Sequence, residues 1–169
     1  MAIRMVGVDI LGPFPIAPGQ VKFLAVAVDY FTKWIEAEPL ARITANNLIK
    51  FFKKSILSRF DIPEVMVSDN GTQFTDKKFR ELMKDLGIKH HFTSVEHPQT
   101  NGQAEATNKV LLRGLKRRLD SAKGNWVDEL PQVLWAYRTT PHSSTKESPF
   151  RLTYGTEAVI PVEIGELSW

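Results

Sequence analysis

The order of apolar segments along the chain restricts the fold more than any other feature of the sequence. Three segments typical of strands come first, at residues 3–11, 22–30 and 34–37. The first alternates apolar with small or polar residues, whereas the second is apolar on both faces, as expected of a central strand. Because only residues 31–33 separate the second segment from the third, we predict a hairpin there.

Helical and strand patterns alternate after this hairpin. Thr44 is a suitable N-cap for a helix in which apolar residues recur at helical spacing from Leu48 to Leu57. The later predicted elements are a strand at 64–68, a helix at 74–86, a strand at 88–93, a loop at 94–102 and helices at 103–122 and 126–138. This order predicts an α/β fold, with a mixed five-stranded sheet and helices on both of its faces.

We find no internal repeat and no domain boundary, so residues 1–169 are predicted to form one domain. Pro141 and Pro149 are expected to interrupt regular structure, and residues 160–169 to be irregular. A chain of 169 residues with 43% hydrophobic content can bury roughly 70% of the surface that its unfolded form exposes. Neither a disulfide nor a structural metal is therefore required for folding.

The chain has no cysteine, which excludes disulfides, thiolate zinc sites and a cysteine nucleophile and is typical of a reducing compartment. Its longest apolar run, residues 23–28, is far shorter than the ~20 residues of a membrane span, so no membrane association is expected. The net charge is only +3. Basic residues cluster at 113–118, just after Lys109, and again at 50–59; each cluster fits either a solvated helix face or a nucleic-acid contact.

Three carboxylates fall on three separate predicted elements. Asp9 lies within an apolar strand, Asp69 follows the strand at 64–68, and Glu105 lies in the first turn of the long helix. Taken singly, Asp69 fits a turn residue and Glu105 fits a charge that complements the helix dipole. Taken together, the three acids match the ligands that a pair of divalent metal ions needs for phosphoryl transfer.

The sequence segments around these acids resemble those of a known family. They are VDILGPFP at Asp9, VSDNGTQF at Asp69 and HPQTNGQAEATNK at Glu105, and 35 residues separate Asp69 from Glu105. The chain therefore resembles, over essentially its whole length, the integrase catalytic core of retroviruses and LTR retrotransposons, with its D,D-35-E pattern. The segments DYFTKW and TPHSSTKESPFRLTYG are similar to those of plant gypsy-type elements in particular.

The resemblance implies a ribonuclease H-like fold and a metal-dependent polynucleotidyl transferase that processes the 3′ ends of element DNA and joins them to target DNA. It assigns Asp9, Asp69 and Glu105 as catalytic metal ligands for Mg²⁺ or Mn²⁺, with two ions expected when DNA is bound. The implied partners are element-end DNA, target DNA and further copies of the chain in a homodimer or higher multimer. The implied location is the nucleus, with cytoplasmic synthesis before import.

The resemblance also assigns DNA contacts. Asn101 and Gly102 correspond to a loop near the element's DNA end, and Thr72 and Gln73 to target-DNA contacts. Lys109 stands four residues after Glu105, on the same helical side, where it can hold a phosphate. Some retroviral relatives have a second lysine where this chain has Leu112, and Arg113 and Lys116 lie nearby.

The family's flanking domains are not expected in this chain. Its zinc domain requires a His/Cys cluster, which a chain without cysteine lacks, so no zinc is expected. A catalytic core without its flanking DNA-binding domains leaves one alternative open, a catalytically silent, domesticated or decayed DNA-binding or assembly module. A related transposase or ribonuclease H would use the same fold and metals, whereas the Arg/His set of a tyrosine recombinase is not evident.

The predicted helix at 126–138 is also a candidate dimer surface. Its apolar side chains are Trp126, Leu130, Val133, Leu134 and Tyr137. The same spacing equally predicts an ordinary core face, so the sequence leaves both interpretations open.

Overall fold

A mixed five-stranded sheet forms the centre of the protein, with the strand order β3-β2-β1-β4-β5. The computed structural model describes residues 4–93 and 102–156. Its strands are β1 (Met5–Leu11), β2 (Phe23–Asp29), β3 (Ile35–Leu40), β4 (Val65–Ser68) and β5 (Lys89–Phe92). The first three strands are antiparallel neighbours, whereas β4 runs parallel to both β1 and β5. The predicted hairpin between the second and third strands is confirmed.

The helices follow the predicted order with additional breaks. They are α1 (Ala45–Phe51), α2 (Ser58–Phe60), α3 (Thr72–Thr75), α4 (Lys77–Asp85), α5 (Gly102–Asp120), α6 (Trp126–Thr139) and α7 (Pro149–Tyr154). A π-helical segment, Phe52–Leu57, joins α1 to α2, and a 3₁₀ turn, Lys123–Asn125, precedes α6. Among the described residues, no helix is long and apolar enough to cross a membrane.

Two hydrophobic clusters cover the two faces of the sheet. On one face, Ala27 of β2 belongs to a cluster with Phe52 and with Phe79 of α4. On the other face, Val26 of β2 belongs to a cluster with Leu115 of α5 and residues of α6. Successive residues of β2 thus face opposite sides, which explains its continuous apolar pattern. The predicted fold class, a mixed sheet with helices on both faces, is confirmed.

The face of α6 that was a candidate dimer surface is core instead. Trp126, Leu130, Val133 and Leu134 are all buried within the same chain, in the cluster that covers one side of the sheet. The Trp126 indole also donates a hydrogen bond to the Pro15 carbonyl at 2.8 Å. Because these side chains are already packed against their own sheet, they do not provide a free docking face.

Two predicted boundaries were wrong for local reasons. The helix expected over residues 74–86 is divided at Asp76, whose side chain accepts a hydrogen bond from the Lys78 N–H and so begins α4. The third strand continues beyond residue 37 to Leu40 and includes Pro39. A proline without an N–H is tolerated there because β3 is an edge strand.

Helix α7 corrects the expectation that Pro149 interrupts regular structure. Pro149 occupies the first turn of this helix, where its missing N–H costs nothing. Ser148 caps the helix by accepting a hydrogen bond from the Arg151 N–H at 3.0 Å. Gly155 ends it with a φ of 78°. The predictions for residues 94–101 and 160–169 fall outside the described residues.

Candidate active site

The pairing of β1 with β4 brings two of the three acids to one edge of the sheet. The two strands are parallel, with Gly7 opposite Val67. Asp69 directly follows β4, so this register, continued by two residues, places Asp9 level with Asp69. In open α/β sheets, ligand-binding and catalytic sites commonly lie at the carboxyl ends of neighbouring parallel strands.

All three acids line one cavity of about 230 Å³. Asp9 enters it from β1, Asp69 from the end of β4, and Glu105 from the first turn of α5. Lys109, one helical turn after Glu105, lines the same cavity. The structure therefore brings together the three acids and one of the predicted phosphate-binding residues.

Local hydrogen bonds orient the two aspartates. Asp9 Oδ1 accepts from the Ile10 N–H at 2.8 Å, and Asp69 Oδ1 accepts from the Gly71 N–H at 2.8 Å. A Cβ at residue 71 would lie 2.7 Å from Gln73 Nε2 and 3.0 Å from Asp69 Oδ1. Because residue 71 is glycine, the Gln73 amide and the Asp69 carboxylate can both pack closely against the backbone of this turn. Any larger residue at 71 would displace them.

Burial raises the pKa of the Asp9 carboxyl, and the negative charge of Asp69 acts in the same direction. The Ile10 N–H and, more weakly, the Lys109 ammonium oppose this rise in pKa. A partly buried carboxylate that faces a second one is a repulsive arrangement, which a cation between them relieves.

The donor atoms fit a hard divalent cation, although they do not form a complete ligand set. Carboxylate oxygens are the ligands that Mg²⁺ and Mn²⁺ prefer, and Asp9 and Asp69 present them at the same sheet edge. Within residues 4–93 and 102–156, no three His, Asp or Glu side chains are placed to hold one ion together. Glu105 lines the same cavity. The distance between its carboxylate and the two aspartates therefore decides whether the three acids can hold an ion together.

The other predicted DNA contacts that the structure describes do not line this cavity. Thr72 is exposed at the start of α3, Gly102 is the first residue of α5, and Arg113 is exposed further along α5. The Lys116 ammonium bonds Asp120 at 2.7 Å and lies 5.3 Å from the centre of the Phe14 ring, so it is engaged away from the acids. Asn101 lies outside the described residues.

Among the lining side chains that sequence reasoning did not assign to the site are Tyr30 and Asn108. Asn108 is three residues after Glu105, so helical spacing was a usable signal for it. Tyr30 follows β2, and its N–H donates to the Met5 carbonyl at 3.0 Å, which brings it beside β1. No local pattern indicated that contact, because it depends on the antiparallel register of β1 and β2.

Comparison with known proteins identifies the family. Residues 2–98 match the family described as "Integrase core domain". The Gag-Pol polyprotein of avian reticuloendotheliosis virus is 34% identical over 149 residues, which are 88% of this chain and 13% of the viral protein. The Gag-Pol polyprotein of gibbon ape leukemia virus is 36% identical over 154 residues, which are 89% of this chain and 9% of the polyprotein. The chain thus spans only about a tenth of the length of these relatives.

Solved structures agree with the sequence match. The catalytic core domain of BIV integrase is 20% identical, with a TM-score of 0.67 and coverage of 99% of each chain. The HTLV-2 integrase catalytic core domain in complex with magnesium, in its trimeric form, is 20% identical, with a TM-score of 0.65 and coverage of 91% of this chain and 98% of that one. These likenesses show the ribonuclease H-like fold of integrase cores. The match over residues 2–98 shows that the chain belongs to the integrase core domain family.

Proposed function

We propose that this chain is a catalytic integrase core, a metal-dependent polynucleotidyl transferase that processes the 3′ ends of element DNA and joins them to target DNA. The observation that carries the proposal is the convergence of Asp9, Asp69 and Glu105 on one cavity, in a chain of the integrase core family. Residues 1–169 then constitute one integrase catalytic core domain.

Asp9, Asp69 and Glu105 are the residues that would hold the divalent ions, Mg²⁺ or Mn²⁺, with two bound in the presence of DNA. When bound, such ions supply electrostatic stabilisation of the attacking and leaving oxygens of a phosphodiester. The chain's own groups orient the substrate. The Lys109 ammonium, which lines the cavity with Asp9, holds a DNA phosphate there. The Gln73 amide, which lies at the Gly71 turn together with Asp69 Oδ1, contacts target DNA.

The remaining DNA contacts extend from this centre. Arg113 and Lys116 continue along α5 from Lys109 and attract the DNA backbone, Thr72 contacts target DNA, and Asn101 and Gly102 contact the element's DNA end. Polynucleotidyl transfer by in-line displacement uses a water or a DNA 3′-hydroxyl as nucleophile, so no covalent enzyme–DNA bond and no tyrosine or serine nucleophile is required.

We further propose a gypsy-type LTR retrotransposon, plant-like, as the source of this core. The support is the DYFTKW segment at the β2–β3 turn and the TPHSSTKESPFRLTYG segment that includes α7. The active form is a dimer or higher multimer that acts on chromosomal DNA in the nucleus. Its support is that solved relatives are a trimeric and a dimeric HTLV-2 core and a simian T-cell lymphotropic virus intasome.

The test is Mg²⁺- or Mn²⁺-dependent strand cleavage and disintegration of a branched DNA substrate, with wild type compared with Glu105→Gln. The substitution preserves side-chain size but removes the charge, so product should fall by at least ~10²-fold, comparable with the loss of a key electrostatic group in other enzymes. Glu81→Gln, an exposed residue of α4, is the matched control and should retain wild-type cleavage.

A catalytically silent DNA-binding or assembly module is the second candidate function. It is favoured by the absence, among the residues that the structure describes, of three acids placed to hold one ion together. A folded wild-type chain that binds DNA but cuts none with either ion would support this module and exclude the active enzyme.

A further inference from the structure

The β2–β3 turn contains a lysine in an unusual environment. Lys33 has a φ of 64°, in the left-handed region where glycine is the usual residue, and only 5% of it is exposed. Burial lowers the pKa of its ammonium, and the charge of Asp29 opposes that shift. Both the backbone conformation and the buried charge cost free energy, so compensating contacts are required.

The compensating contact joins the turn to α5. Lys33 Nζ donates a hydrogen bond to Asn108 Oδ1 at 2.8 Å, across 75 residues of sequence. Asn108 is itself only 7% exposed, so water does not compete freely for this bond. Lys33 Nζ also lies 5.7 Å from the centre of the Tyr30 ring. The turn therefore holds the N-terminal half of α5 through a buried polar contact.

Glu105 lies on that half of α5, one helical turn before Asn108. Tyr30, from the same β2–β3 turn as Lys33, lines the cavity of the three acids. Tyr30 and Glu105 line the same cavity, and burial and, secondarily, the Glu105 charge raise the pKa of the Tyr30 phenol. A Cβ at Gly7 would be 3.1 Å from Tyr30 Cε1, so glycine at 7 allows the ring to pack against β1.

We propose that Lys33 is a positioning residue, which sets the distance of Glu105 from Asp9 and Asp69 by holding α5 through Asn108. Lys33 acts without touching DNA or a metal ion. The inference rests on the proposed function, since it concerns how that active site is assembled. It follows from the cavity's geometry, in which the two aspartates come from the sheet and the third acid comes from a helix that must be held against it.

Two substitutions distinguish the effect of losing the Lys33 ammonium from the effect of the strained backbone at residue 33. Lys33→Met keeps a long side chain but removes the charge and the hydrogen bond. Lys33→Gly also removes them but relieves the positive φ, so the turn itself becomes easier to form. Lys84→Met is the matched control, because Lys84 is an exposed lysine of α4 that lies outside both basic clusters.

We expect both Lys33 variants to lower kcat for disintegration of the branched DNA by about 10- to 100-fold, the size of effect that a misplaced catalytic group produces. KM for DNA should remain within about 2-fold, because DNA-binding groups are unchanged. Lys84→Met should match wild type in both parameters. Unchanged kcat in both Lys33 variants would overturn the proposal.

Amide hydrogen exchange of the metal-free protein supplies a measurement that does not depend on catalysis. In both Lys33 variants, amides of α5 around Glu105 and Asn108 should exchange faster, whereas those of β1 should exchange as in wild type. Unchanged exchange in α5 would overturn the role of Lys33 even if activity fell. A wild-type chain without activity contradicts the proposed function, while the exchange measurement still decides whether Lys33 holds α5.

A chemical rescue distinguishes the ammonium from a general structural effect. The chain has no cysteine, so Lys33→Cys introduces its only thiol, which can be alkylated in denaturant before refolding. Aminoethylation rebuilds a side chain of nearly lysine length with its ammonium, and methylthiolation caps the thiol without a charge. We expect kcat and the protection of α5 amides from exchange to recover after aminoethylation but not after methylthiolation. If both reagents restored them equally, or if neither did, the proposal would be overturned.

Discussion

A single side chain, His90 of β5, makes the free energy of unfolding depend on pH. Its Nε2 lies 2.7 Å from Ser68 Oγ, next to Asp69, and its ring centre is 4.1 Å from that of Phe92. Nδ1 is buried and has no hydrogen-bond partner among the described residues. Burial, with smaller contributions from Arg80 and His91, lowers the pKa of His90 from 6.5 to about 4.

Because the unfolded chain binds this proton more readily than the folded protein does, acid favours unfolding. The contribution of His90 to the free energy of unfolding is complete above pH 6.5 and is lost as pH falls toward 4. Urea denaturation of metal-free protein across this interval should show falling stability for wild type and a flatter dependence for His90→Gln. Parallel pH dependences of the two proteins would contradict the assignment.

Among helices and strands, local caps explain where several elements begin. Thr44 Oγ1 accepts a hydrogen bond from the Asn47 N–H at 3.1 Å, as the sequence predicted for the start of α1. Thr44→Ala leaves that N–H without its partner and should lower the free energy of unfolding by about 1 kcal/mol. The measurement is the urea midpoint, with an unchanged m-value.

Thr75→Ala is the matched control for this cap. Thr75 is also exposed, and its hydroxyl makes a long contact with the Thr72 carbonyl, at 3.4 Å. Its effect should remain within about 0.5 kcal/mol. Equal losses in the two variants would show that the Thr44 hydroxyl contributes no specific capping.

At the scale of the whole protein, two hydrophobic clusters pack against opposite faces of the same sheet. Ile56 is fully buried in the cluster with α1 and α4, whereas Trp126 is fully buried in the cluster with α5 and α6. Because β2 contributes side chains to both, loss of one cluster should expose the other. We therefore expect cooperative unfolding of both faces.

Ile56→Val tests this coupling, since it removes one buried methyl group from a single face. It should lower the free energy of unfolding by about 0.5–1.5 kcal/mol. In a background in which Trp34, Trp135 and Trp169 are replaced by Phe, tryptophan fluorescence reports on Trp126, across the sheet from Ile56. It should show the same lowered urea midpoint as far-UV circular dichroism. A fluorescence midpoint that stays at the wild-type value while the dichroism midpoint falls would show that the faces unfold separately.

Local patterns were sufficient to predict most of the fold. Alternation in β1 and helical spacing after Thr44 depend on neighbours along the chain, so they are readable without coordinates. The 35 residues between Asp69 and Glu105 are also readable from the sequence, but they were informative only through the family resemblance. The same patterns placed Asp9 within the first strand, Asp69 directly after the fourth and Glu105 in the first turn of the long helix. They did not predict α7, because Pro149 was interpreted as a breaker although Ser148 before it acts as a cap.

Contacts between distant segments required the folded protein. The spacing of α6 fitted a core face and a dimer surface equally, and packing against the sheet made it core. Parallel pairing of β1 with β4 brought Asp9 level with Asp69, and the Lys33–Asn108 bond joins residues 75 positions apart. Periodicity reports which side of an element is apolar, but only packing determines what covers that side, because the covering residues lie elsewhere in the chain.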